Sequence, residues 1–128
     1  MEPDRGALAT KIAWGQGAYF LLTGIWPLFG MRSFERITGP KRDRWLVKTV
    51  GGLVAVVGGA LILAAWRRPA AVTDERELPL VAVGSAATLA AVDVVYVARG
   101  RIAPIYLLDA LAEAICLAAW GMARLRRR

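Results

Sequence analysis

Two stretches without a single charge constrain this chain more than any other feature. Ile12 to Met31 runs for 20 residues and Thr49 to Trp66 for 18 without Asp, Glu, Lys or Arg. Each is long enough, as a helix, to cross a hydrocarbon core of about 30 Å. A helix also satisfies its own backbone hydrogen bonds, which lipid cannot do for it. Leu78 to Ala98 carries one charge, Asp93, and Ala103 to Ala123 carries two, Asp109 and Glu113. Both read as further spans holding intramembrane acids. The pattern therefore predicts an all-α polytopic membrane protein, a bundle of four transmembrane helices at about 12–31, 45–66, 78–98 and 103–123, with a basic loop at 32–44 and a basic tail at 124–128. The hydrophobic fraction of 57% agrees, since soluble domains average about 45–50% apolar residues.

Several chemistries are closed off by composition. There is no histidine and one cysteine, Cys116, which excludes histidine-ligated and multi-cysteine metal sites, Ser-His-Asp and Cys-His nucleophiles, and an intrachain disulfide. No catalytic residue, metal or cofactor is assigned. Cys116, flanked by apolar residues, reads as a packing residue without a base or resolving partner. The net charge of +7 falls between and beside the apolar runs, so the expected partners are the bilayer and anionic lipid head groups, with no nucleic acid.

Local chemistry places the boundaries. Trp45 and Trp66 stand about 31 Å apart along a helix, with Arg44 and Arg67 just outside, an aromatic belt at both interfaces. Asp43 suits an N-cap for the second span, Thr73 or Asp74 one for the third; Gly100 suits the close of the third, and Pro104 the first turn of the fourth. The Ser33–Ile37 stretch reads as an amphipathic interfacial turn or a disordered basic loop. The first apolar run lacks a following small-x-small cleavage site, so it reads as a mature helix. Lys and Arg number nine on the side of the termini and second loop against eight on the other, which leans only slightly toward cytoplasmic termini. Homo-oligomerisation, an antiparallel dimer included, stays open, as does a separate membrane partner.

At 100° per residue the second span gathers Lys48, Gly51, Gly52, Ala55, Gly58 and Gly59 on one side, and Val50, Leu53, Val54, Val57 and Leu61 on the other. Small residues let helices approach closely in lipid, so the glycine side is expected to pack and the valine-leucine side to face acyl chains. The fourth span sets Tyr106, Asp109, Glu113, Cys116 and Trp120 against Leu107, Leu111, Ile115, Ala118 and Met122. The third aligns Ala82, Ala86, Leu89, Ala90 and Asp93, and the first carries Gln16, Tyr19, Thr23 and Pro27.

The segment from Asp93 to Asp109 mirrors itself about Arg101, pairing Asp93 with Asp109 and Tyr96 with Tyr106. On an antiparallel hairpin mirror positions share a depth, here about 8 to 12 Å below the interface for the aspartates, with Glu113 about 6 Å deeper. An Asp at a helix centre costs about 2.5 to 3.5 kcal/mol, against about 0.3 to 0.6 returned per Leu or Ile. These acids therefore need a proton, a cationic partner such as Lys48 or a first-loop arginine, or water. Asp93, Asp109, Glu113, Lys48, Tyr96, Tyr106 and Thr23 are the candidate ligand- or proton-binding residues. The alternative is that the same groups merely fix which helices pack.

The stretches FERITGPKRDRWLVKTVGG, from Phe34 to Gly52, and DVVYVARGRIAPIYLLDA, from Asp93 to Ala110, resemble segments of a group of small bacterial four-helix integral membrane proteins without assigned activity. The resemblance implies a bacterial inner-membrane, multi-pass protein of four spans and implies no activity. The function expected is that of a non-enzymatic structural, accessory or ligand-binding membrane protein with a polar intramembrane site. A small proton- or cation-coupled transporter is the alternative, and an enzyme acting on a lipid-soluble substrate the third.

Overall fold

The computed structural model describes residues 3–126. Six helices follow one another: α1 Pro3–Phe29, α2 Met31–Thr38, α3 Arg44–Arg67, α4 Pro69–Asp74, α5 Glu77–Ala98 and α6 Tyr106–Arg126. The chain is all-α among these residues. Three helices, Arg44–Arg67, Glu77–Ala98 and Tyr106–Leu125, are long and apolar enough to cross a membrane, and they mark a multi-pass membrane protein. α1 is the longest helix at 27 residues but is not among the three. Gln16, Tyr19, Thr23, Pro27 and three glycines dilute its apolar stretch.

The first loop is not disordered. α2 folds back from the end of α1 at Gly30, and the edge of the Phe34 ring meets Trp26 with centroids 5.3 Å apart. The Trp26 indole N–H donates to Ser33 Oγ at 2.7 Å. Glu35 then organises the return to α3, with one carboxyl oxygen 2.9 Å from Arg44 Nε and the other accepting the Lys41 backbone N–H at 2.8 Å. Gly39 turns the chain at φ +96°, a conformation glycine adopts without strain. Asp43 does stand at the N-cap of α3, but its side chain makes no capping bond. Thr73 and Asp74 end the short α4 instead of opening α5.

α1 and α3 run side by side, antiparallel, through glycines. A Cβ on Gly24 would stand 2.6 Å from Ala55 N, and one on Gly51 2.6 Å from Gly24 O. One heptad along, a Cβ on Gly58 would lie 2.6 Å from Gly17 O, and one on Gly17 2.8 Å from Gly58 O. The backbones touch at both levels, which only hydrogen side chains permit. The expected glycine face therefore divides. Gly51, Ala55 and Gly58 meet α1, whereas Gly52 and Gly59 have nothing within 4 Å of a Cβ, because the small stripe is wider than the strip a neighbouring helix covers. Leu61, expected to face lipid, is fully buried against Ala9, Ile12 and Ala13 instead.

α5 and α6 form the second pair. α5 ends in a Schellman arrangement, with Gly100 at φ +71°. Gly100 N–H donates to Val97 O at 3.0 Å and Arg101 N–H to Tyr96 O at 2.8 Å, the paired bonds that close a helix C-terminus. α6 begins at Tyr106, three residues later than its apolar pattern, because Pro104 sits in a preceding turn whose carbonyl accepts Leu107 N–H at 2.9 Å. The two pairs meet through α1 and α6, while α3 and α5 barely touch. An open-sided apolar cleft of about 510 Å³ remains there, with Phe20, Leu53, Val57, Leu80 and Leu89 in its walls. Outward faces carry bare leucine and isoleucine, among them Leu53, Leu80, Leu108, Leu111 and Ile115, the surface a bilayer covers. Trp45 and Trp66 are both exposed at the two ends of α3, as an interfacial belt requires.

Gly24→Ala should lower the stability of the detergent-purified protein by about 1–3 kcal/mol, the usual cost of overpacking. Gly52→Ala should be neutral or slightly stabilising, since alanine is the better helix former by up to about 1 kcal/mol. Thermal unfolding of both variants beside wild type checks the assignment of the glycine face.

Candidate functional site, a carboxyl cluster between three helices

Helical periodicity puts Tyr106, Asp109, Glu113, Cys116 and Trp120 on the inner face of α6. All five are buried or half-buried, whereas Leu107, Leu111, Ile115, Ala118 and Met122 are exposed. On α5, Ala82, Ala86 and Asp93 are buried. The hairpin brings its acids into one neighbourhood, with Asp109 beside both Asp93 and Glu113. α1 closes the cluster, and Tyr19 donates its hydroxyl hydrogen to Asp109 Oδ1.

The cluster sits close to one end of the bundle. Asp109 falls in the first turn of α6, where the helix dipole favours its carboxylate. Counting helical rise, Asp93 lies about 7.5 Å from the end of α5 and Glu113 about 10.5 Å from the start of α6. The late start of α6 makes Asp109 shallower, about 4.5 Å from the helix end, than the sequence pattern implies.

Enclosure increases along the cluster. Asp109 is half-buried, Asp93 is 5% exposed, and Glu113 has no exposed surface at all. Asp93 Oδ2 and both carboxyl oxygens of Glu113 have no donor partner. Ions buried this way usually have a counter-charge, because leaving one uncompensated costs several kcal/mol. None is present among the described residues, whose ion pairs are Arg44 with Glu35 and Arg68 with Glu75.

Four of the candidate side chains lie apart from the acids. Lys48 is exposed on α3, about one turn from its start, and is in neither of the ion pairs among the described residues. Thr23 bonds back to the Tyr19 carbonyl at 2.7 Å, which is the usual fate of a hydroxyl within a helix. Tyr96 is exposed beneath the Arg99 guanidinium, 5.9 Å from its ring centroid. Tyr106 lies one turn above Asp109, its ring 4.9 Å from the Lys41 ammonium. That ammonium donates to Thr38 O at 2.9 Å and so stays with the loop. Asp93 and Asp109 are therefore neighbours, whereas Tyr96 and Tyr106 each sit against a different cation, Arg99 and Lys41.

Tyr19 and Gln16 are the polar groups of α1 that reach across to the hairpin. Gln16, 2% exposed, accepts the Trp120 indole N–H at 2.7 Å and donates to Ala82 O at 2.9 Å. One amide thereby joins α1, α5 and α6 one turn below Tyr19. The signal available in the sequence was their i, i+3 spacing on an otherwise apolar run. Cys116, half-buried and unpaired, lies between Glu113 and Trp120 on the same face of α6. Among the described residues no cluster of His, Cys, Asp and Glu has the arrangement of a metal site.

Comparison with protein-family models, curated proteins and solved structures finds no match.

A double-mutant cycle of Gln16→Leu and Trp120→Phe should give a coupling of about 1 kcal/mol, as polar contacts between membrane helices do. Additive losses in detergent unfolding would mean that the two side chains act independently.

Proposed function

We propose that this chain is a four-span membrane protein whose carboxyl cluster holds an exchangeable proton. The fourth span is α1. It contacts α3 at two levels, Gly24 with Gly51 and Gly17 with Gly58, and a helix lying alongside a membrane-crossing partner through both levels shares its depth. Its modest hydropathy is offset because Gln16, Tyr19 and Thr23 all have hydrogen-bond partners.

One observation carries the proton reading. Glu113 is wholly enclosed, both its oxygens lack a donor, and its neighbouring acids are Asp109 and Asp93. Two facing carboxylates repel, but a proton between them turns the contact into a hydrogen bond, and closely spaced acids then titrate as a group. Tyr19 supports Asp109 from the other side. Such a cluster binds a proton reversibly and changes charge inside the bundle as it does so, the elementary step of proton-linked membrane proteins.

Infrared spectroscopy of the protein in lipid vesicles tests this. Wild type should show the carbonyl stretch of a protonated carboxyl at neutral pH, sensitive to deuterium exchange and diminishing as buffer is made alkaline. Glu113→Gln or Asp109→Asn should remove or shift it. No such band at neutral pH would show three ionised acids and contradict the proposal; a band indifferent to pH and deuterium would show a fixed structural proton instead.

A further inference from the structure

We infer that the carboxyl cluster exchanges its proton with the aqueous phase at one end of the bundle only, the end formed by α2 and the α5–α6 turn. The inference rests on the proton reading above and adds the direction of access. Three observations carry it.

Depth comes first. From the cluster to the near end the helices run about 4.5 Å beyond Asp109 and about 7.5 Å beyond Asp93, while about 20 Å of α6 and about 24 Å of α5 lie on the far side. The second is a gradient of enclosure. Asp109 is half-buried, Asp93 nearly buried and Glu113 fully buried, so a proton arriving from the near end meets Asp109 first and the donorless oxygens of Glu113 last. Tyr19 from α1 is in hydrogen bond with that entry residue.

The third is a seal on the far side. About 10 Å beyond Glu113 along α6, the Gln16 amide joins the Trp120 indole and the Ala82 carbonyl, leaving none of its side-chain groups without a partner. Beneath that layer Ala9, Ile12, Ala13, Leu61, Ala65 and Val72 pack with Trp120 and Ala123. A dry layer of this kind offers no chain of donors and acceptors for a proton to follow. At the near end the facing groups are polar: Tyr106 and Tyr96, with Lys41 over the Tyr106 ring and Arg99 over that of Tyr96. Lys41 is held by the Thr38 carbonyl, so the mouth carries a positive charge that does not neutralise the acids.

The test uses sealed vesicles containing the full-length protein. Arg36→Cys and Glu75→Cys, each in a Cys116→Ser background, report through an impermeant thiol reagent which end faces outward. A water-soluble carbodiimide with an amine nucleophile is then added outside, and modified acids are located by mass spectrometry. Asp109 should be modified in vesicles presenting the α2 end and unmodified in those presenting the α4 end. Asp109→Cys, probed with the impermeant thiol reagent, repeats the measurement without requiring a protonated acid. Tyr106→Cys replaces it where that variant does not fold. One-sided thiol labelling without carbodiimide modification would leave the access route standing and remove the proton. Labelling from the α4 end, from both ends alike, or from neither would overturn the inference.

Discussion

Two hydrogen-bonding side chains on one face of α1 hold the bundle together. Helices in lipid gain nothing from hiding apolar surface, since acyl chains are as apolar as leucine, and their association comes from close packing and polar contacts. Each helix pair has its own device: backbone contact at Gly17, Gly24, Gly51 and Gly58 for α1 with α3, and the tight Gly100 turn for α5 with α6. Neither device joins the pairs to each other. Tyr19 with Asp109, and Gln16 with Trp120 and Ala82, do so from adjacent turns of α1.

The acids follow from the same arrangement. An isolated α6 would carry Asp109 and Glu113 into lipid at a cost of about 5 to 7 kcal/mol if both were charged at central depth. The cost is reduced by placing Asp109 in the first turn, where the helix dipole and the interface favour it, and by turning Glu113 inward. Asp93 is drawn to the same level by the short hairpin. At the level of the acids α1 carries no positive charge, its Lys11 lying about 12 Å of helical rise from Tyr19, and so the acids are left to share among themselves what a salt bridge would otherwise provide. The open cleft between α3 and α5 is the complement of this geometry: α1 touches both pairs, whereas α3 has no polar group directed at α5.

Much of the helical framework was legible in the sequence, for identifiable reasons. The inner and outer faces of α6 follow from periodicity alone, and the depth match of Asp93 with Asp109 follows from symmetry about a tight turn. Gly100 was readable as a helix stop because few other residues accept its backbone angle. The α2 helix was half visible, its apolar and basic residues consistent with a turn at the interface. Partners across the bundle were not legible. Gly17 and Gly24 look like neutral spacers until the register with α3 is known, and Gly52 is indistinguishable from Gly51 by composition. Lys48 was a reasonable counter-ion for the acids by depth, but a shared depth does not bring two side chains on different helices into contact. The partnership of Tyr19 with Asp109 spans 90 positions and has no local signature.

Three carboxyl groups and one tyrosine hydroxyl gather inside the bundle near its α2 end. Solid-state NMR on protein with carbon-13 in its Asp and Glu side chains, reconstituted in lipid, addresses this arrangement most directly. Through-space cross-peaks should link the side-chain carboxyl carbon of Asp109 to those of Asp93 and Glu113, with at least one of the three at the chemical shift of a protonated acid. Three carboxylates without mutual cross-peaks, each at the shift of a solvated ion, would contradict it.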